Sequence, residues 1–173
     1  MSSTPPPSQS ARDRHLSLPA LGTRGGGWVT VQVVLLAAIA LSALVGLSWP
    51  DPLVPIAYAA GALVFAVGLG LLLGGAIGLG SALTPFPAPR SQGELQTGGV
   101  YRLARHPMYG GGILIALGWS TIFATVVGLA LTILLAVFAA LKSRREELWL
   151  EQQYAGYRDY ERRTKHRLIP FMW

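Results

Sequence analysis

Two charged segments interrupt a chain that is otherwise mostly Ala, Leu, Val and Gly. The first reads Tyr101-Arg102-Leu103-Ala104-Arg105-His106-Pro107-Met108-Tyr109, followed by Gly110 and Gly111. The second opens with Arg144-Arg145-Glu146-Glu147 and runs through Tyr154, Tyr157 and Tyr160 to Arg167. Arginine and histidine bind anionic groups, carboxylates accept from amines and hydroxyls, and aromatic rings pack on flat or cationic groups. Such a set can hold a ligand that carries charge of both signs. Each part also has a plainer reading. Arg102, Arg105 and His106 can be basic anchors beside a membrane helix. Glu146 and Glu147 can be a solvated helix face with Arg144 and Arg145 nearby. The chain has no cysteine, which excludes disulfides, thiolate metal sites, cysteine nucleophiles and S-acylation. No metal site is read from the sequence.

The elements that must position these residues are apolar. Hydrophobic residues make up 51% of the 173 and charged residues only 13%, and the mean hydropathy is +0.44, well outside the range of an ordinary soluble domain. The composition implies an all-α integral membrane protein built as one bundle, with any chemistry on the bundle itself. Residues 1–27 are rich in Pro, Ser and Gly and read as a disordered tail. Residues 28–83 read as transmembrane helices 1 and 2, from Trp28 to Trp49 and from Leu53 to about Leu83, separated by Trp49-Pro50-Asp51-Pro52. Gly70, Gly74 and Gly78, at i, i+4 and i+8, are expected to form a smooth stripe for helix packing.

Residues 84–173 read as the catalytic region, with a loop, a helical hairpin and a C-terminal segment. Its apolar block from Met108 to Leu141 would be about 51 Å long as one helix at 1.5 Å per residue, too long for one span. Charge decides the topology. The tail, the 81–107 loop and the C-terminal segment carry three, three and eight Lys/Arg, and the opposite turns carry none. An even number of spans puts all 14 on the cytoplasmic side, with both termini. Helix 3 is therefore expected at about 108–122 and helix 4 from about 126, with a turn near Phe123 to Thr125. The positive-inside rule accounts for the net charge of +6 without a nucleic-acid partner. If helix 4 continues past Lys142, Glu147, Glu151 and Tyr154 share one face, with Leu150, Tyr154, Tyr157 and Tyr160 in a neighbouring stripe.

The motif order Gly99-Val100-Tyr101-Arg102, Arg105-His106-Pro107-Met108-Tyr109 with Gly110 or Gly111, Glu146-Glu147 with Leu150, Tyr157 with Tyr160, and Arg167-Leu168-Ile169-Pro170 resembles the isoprenylcysteine carboxyl methyltransferase and phospholipid methyltransferase group of membrane enzymes. The resemblance covers roughly residues 84–171. The chain departs from it where the group often has Gly-Pro-Tyr in place of Gly99-Val100-Tyr101, and Phe-Gly-x-x-Tyr in place of Tyr154-Ala155-Gly156-Tyr157.

What the resemblance implies is S-adenosylmethionine bound between the loop, the end of the last span and the C-terminal segment, and a lipophilic small-molecule or lipid substrate entering from the bilayer. On that reading Arg105 and His106 serve the cofactor carboxylate, and Glu147 its amino or ribose hydroxyl groups. Tyr109 and Tyr154 pack on adenine or the cation, Gly99 lets backbone approach closely, and Tyr101 also belongs to the cofactor site. Arg167 can hold an anionic acceptor, and Glu146 or His106 can act as base for an amine. Carboxyl O-methylation of an isoprenylcysteine-like group is the favoured activity. Phospholipid N-methylation and thiol S-methylation are the alternatives within the group, and a non-catalytic membrane scaffold is the alternative of another class. A transporter is disfavoured because no ionisable residue is expected within a span. Ala-, Leu-, Gly- and Arg-rich composition points to a bacterial plasma membrane.

Overall fold

The structure, a computed structural model, describes residues 26–80, 83 and 94–172, and all its regular elements are helical. The expected disordered tail lies outside them except for Gly26 and Gly27, which already belong to the first helix. Helix α1 spans Gly26–Leu41 and continues as a 3-10 turn over Ser42–Val45. Helix α2 spans Val54–Leu79, α3 Pro107–Ile122, α4 Val126–Gln153 and the short α5 Tyr157–Arg163. In an apolar medium a helix satisfies its own backbone, which these Ala- and Leu-rich stretches require. Three stretches are long and apolar enough to cross a membrane: Gly26–Val45, Asp51–Leu79 and Val126–Gln153. Helix α3, with 16 residues, falls short of that length.

Local chemistry sets the ends. The first helix, expected to reach Trp49, stops at Val45. Pro50 disfavours helix before it; the Leu47 backbone N–H goes to the Ala124 carbonyl of the α3–α4 turn at 3.1 Å, and the Trp49 indole Nε1–H to that of Thr121 at 2.8 Å. That turn falls where the sequence places it. Ala124 sits at φ +47, and the Thr125 side chain caps α4 by accepting from the Gly128 N–H at 3.1 Å. Pro107 opens α3 where its missing donor is harmless, and His106 before it is non-helical at φ −125, ψ 62. Helix α2 ends at Gly80, φ +49, four residues short of the expectation. Helix α4 runs past Lys142 and breaks at Tyr154, so the tyrosines are divided between α4's end and α5.

The expected glycine stripe is not the seam between helices. A Cβ added at Gly70 would meet nothing within 4 Å, and those at Gly74 and Gly78 would meet Val100 and Tyr101. The seam is Gly61, Gly68 and Gly75 on α2 against Gly118, Gly111 and Met108 on α3. A Cβ at Gly68 would lie 2.7 Å from the Gly111 carbonyl oxygen, and one at Gly118 would lie 2.5 Å from that of Gly61. The spacing of seven is what a shallow antiparallel crossing demands, because it keeps the same face turned to the partner. Gly111→Ala is therefore expected to destabilise the protein by about 1–3 kcal/mol by forcing two backbones apart, whereas Gly70→Ala should change stability by less than about 0.5 kcal/mol. Thermal unfolding in detergent checks this, and equal effects would put the seam elsewhere.

Helix α4 packs on α1 and α3 around Leu35, Ile39, Ile113, Ala116, Leu135 and Ala139, with Leu168 of the C-terminal segment closing this core. Outward faces stay apolar, as at Val34, Leu63, Ile77 and Ile133, which suits lipid contact. The α1–α2 and α3–α4 connections meet at one end of the bundle, and the charged segments meet at the other.

Candidate active site

The C-terminal segment is laced to the start of α3 by backbone. The N–H of Arg105 donates to the His166 carbonyl at 3.0 Å, and that of His106 to the Arg167 carbonyl at 2.7 Å. Gly110 permits this approach, since a Cβ there would lie 2.0 Å from the Leu168 carbonyl oxygen. The two glycines of the motif thus divide the work. Gly110 receives the C-terminal segment, and Gly111 receives α2.

Glu147, on α4, is the hub. Its Oε1 accepts from Arg105 Nε at 2.9 Å and Arg167 Nε at 3.2 Å, and its Oε2 pairs with Arg167 Nη2 at 2.7 Å. His106 Nε2 lies 3.3 Å from the same Oε1. Glu146 takes the other side of the imidazole, with Oε2 3.4 Å from His106 Nδ1, and its Oε1 accepts the Tyr109 hydroxyl. The Tyr109 and His106 rings stack with centroids 5.7 Å apart. So six of the expected site residues, Arg105, His106, Tyr109, Glu146, Glu147 and Arg167, form one cluster.

Arg105 is fully committed to protein. Beyond Glu147, its Nη1 donates to the carbonyls of Thr164 and Lys165 at 2.8 and 3.3 Å, and its Nη2 lies 3.3 Å from Glu161. It pins the C-terminal segment to the bundle. Arg167 has a side chain 25% exposed and engages Glu147 through Nε and Nη2.

The other three expected residues stand apart from the cluster. Tyr101 gives its hydroxyl to the Gly75 carbonyl of α2 at 3.2 Å, and its own carbonyl accepts the Tyr160 hydroxyl at 2.7 Å. With Tyr157 and Tyr160 it forms a buried aromatic core, and the half-buried Tyr154, which caps α4, packs on its edge. Gly99 has φ +56 with open space around it, so its glycine requirement is conformational. Lys142, Glu161 and Gln32 also stand at or beside the cluster, and their sequence context gives little sign of it. Lys142 ends an apolar block and looks like an anchor, and Glu161 is hidden in an alternation of charges. Gln32, the lone amide of its apolar block, was the available signal.

Electrostatics follow from this geometry. Burial opposes charge on His106, but its contacts with Glu146 and Glu147 outweigh it and raise the imidazole pKa. Burial likewise opposes the Arg105 charge, and Glu147 more than restores it. Burial pushes the Tyr160 hydroxyl up to about 12. A raised histidine pKa contributes stability that is complete below the unfolded value of about 6.5 and is lost as pH rises through the folded value. Unfolding measured from pH 6 upward should therefore show a decline that His106→Gln flattens. An unchanged slope in that variant would assign the decline to another group.

Donors and acceptors of both signs, within one half-buried cluster, suit a ligand with an amino-acid end. Four buried side-chain polar atoms have no hydrogen-bond partner among the described residues: His106 Nε2, the Tyr157 hydroxyl, Trp119 Nε1 and Arg145 Nε. Buried polar groups are normally satisfied; His106 Nε2 already faces Glu147 Oε1 at 3.3 Å, so the Tyr157 hydroxyl is the group beside this cluster that a bound ligand could satisfy. The residues present fit S-adenosylmethionine in that sense.

A helical bundle with apolar outer faces, three stretches able to cross a bilayer and a charged cluster at one end defines an integral membrane protein. More particularly, the chain belongs to the phospholipid methyltransferase family, whose model matches residues 56–156, more than half of the chain, and it is a membrane methyltransferase. This bears out the resemblance carried by the motif residues. The matched region holds α2, α3, α4 and both glutamates, and excludes α1 and Arg167. No curated protein matches the chain.

Proposed function

We propose that the protein transfers a methyl group from S-adenosylmethionine to a lipophilic acceptor that enters from the bilayer. The observation that carries this reading is the convergence of Arg105, His106, Glu146, Glu147 and Arg167 at the end of an apolar bundle, together with the family. When bound, the cofactor supplies an electrophilic methyl on a sulfonium. In-line displacement then leaves the protein mainly the work of positioning. His106, Tyr109 and Glu146 would hold the cofactor's polar end, with Glu147 keeping the cations in place rather than meeting the ligand alone. Arg167, whose side chain is partly exposed, would orient a carboxylate acceptor. This favours carboxyl O-methylation. The family match favours a second reading, N-methylation of a phospholipid amine, in which Glu146 takes the proton. Analysis of the methylated product separates them, because an ester is labile to mild base and a methylated amine is not.

Calorimetric titration of the purified protein with S-adenosylhomocysteine tests the cofactor. Saturable binding supports the enzyme, and none supports a non-catalytic scaffold. We place both termini and the site on the cytoplasmic side of four spans, on the strength of all 14 Lys/Arg lying in the segments assigned to that side. In this cysteine-free chain, Asp51→Cys should react with an impermeant thiol reagent from outside intact cells and Lys165→Cys should not. External labelling at 165 would invert the topology. A bacterial plasma membrane is the expected location.

A further inference from the structure

Lys142 stands on α4 ahead of Glu146 and Glu147. It is only 2% exposed and lies one turn before Glu146 on α4. Its ammonium donates to Gln32 Oε1 of α1 at 2.7 Å and sits 5.0 Å from the centroid of the Tyr109 ring. Tyr109 in turn stacks on His106 and gives its hydroxyl to Glu146. An ammonium withdrawn from water at a bundle's core is costly and is characteristically retained for function. An aromatic face attracts a cation, so the ammonium restricts where the ring can lie.

We propose that Lys142 is a positioning residue for the site: anchored by Gln32, it fixes the Tyr109 ring and through its hydroxyl the carboxylate of Glu146. Helix α1, outside the region the family model matches, is then part of the site. Without the ammonium the ring is free to turn, the hydroxyl leaves Glu146, and the Glu146–His106 contact loses one of its supports. Gln32→Leu acts in the same direction from the far end, because an ammonium without its acceptor no longer holds its place over the ring.

The test uses the full chain labelled with 3-fluorotyrosine in detergent. Six tyrosines give the fluorine spectrum, and the resonance lost in Tyr109→Phe identifies Tyr109. That resonance should shift in both Lys142→Met and Gln32→Leu. A second arm, which rests on the proposed cofactor, titrates S-adenosylhomocysteine. Lys142→Met and Tyr109→Phe should each weaken binding about tenfold, and the double variant should be no weaker than the worse single, because both changes break one linkage. A purely structural lysine would lower thermal stability while the two binding losses multiply. Multiplying losses, or a Tyr109 resonance unmoved in both Lys142→Met and Gln32→Leu, overturn the proposal. If the wild-type protein does not bind S-adenosylhomocysteine, the cofactor reading falls, and the resonance decides the role of Lys142 by itself.

Discussion

Glu147→Gln is expected to destabilise the protein by about 3–5 kcal/mol, the range seen when one partner of a buried ion pair is removed, and to abolish binding of S-adenosylhomocysteine. Glutamine keeps the size of the side chain and removes its charge. Arg105 Nε at 2.9 Å, Arg167 Nη2 at 2.7 Å and His106 Nε2 at 3.3 Å then lose the carboxylate they share, and Glu146 reaches only His106, at Nδ1, 3.4 Å away. The Arg105 side chain is 6% exposed and cannot turn to water. Glu161, on α5, neutralises only part of what is left. Glu151→Gln provides the contrast, since it pairs with the exposed Arg158 at 3.6 Å, and such a pair contributes less than about 1 kcal/mol. Chemical unfolding in detergent together with calorimetry measures both variants. Similar losses at 147 and 151 would mean that Glu147 is not the hub.

Gly110→Ala should have an effect of similar reach through geometry alone. The added methyl would lie 2.0 Å from the Leu168 carbonyl oxygen and 2.8 Å from its carbon. Backbone cannot yield as a flexible side chain does, so the 166–169 segment must move off α3. That movement breaks the bonds from Arg105 to His166 and from His106 to Arg167, and it carries Arg167 away from Glu147. A loss of about 1–3 kcal/mol from overpacking is expected, with cofactor binding lost alongside. Gly112→Ala meets nothing within 4 Å and should stay within about 0.5 kcal/mol of the parent. If Gly110→Ala binds S-adenosylhomocysteine as the parent does, the C-terminal segment is not part of the site.

The candidate cluster was legible where ionic chemistry marked it. His106 and Glu147 lie far apart in sequence, yet a hairpin of two apolar helices had to return the second to the face the first left, and the two side chains meet at 3.3 Å. Pro107 and Thr125 likewise announce the start of α3 and the cap of α4. Helix packing was less legible, because every glycine of α2 looks alike until a partner is chosen. The spacing of Gly111 and Gly118 on α3 selects Gly61, Gly68 and Gly75, and leaves Gly70 facing open space. Tyr101 shows a second limit. An aromatic within a motif gives no sign whether its hydroxyl faces a ligand or, as here, the carbonyl of Gly75. Lys142 marks a third, since a lysine closing an apolar run reads as an anchor until α1 is seen to bury it against Gln32. It also qualifies the expectation that no span carries an ionisable residue, because Lys142, Glu146 and Glu147 all lie on the membrane-length helix Val126–Gln153.

In the proposed reaction this cluster methylates a lipophilic acceptor at the expense of S-adenosylmethionine. The most direct measurement incubates the purified full chain with methyl-labelled S-adenosylmethionine and membrane lipid extract, and follows the label by mass spectrometry. Label should appear in a lipid-soluble product with the wild-type protein and be absent with Glu147→Gln. Folded wild-type protein that binds S-adenosylhomocysteine yet places no label in any extracted product, or a Glu147→Gln variant that labels as well as the parent, would contradict it.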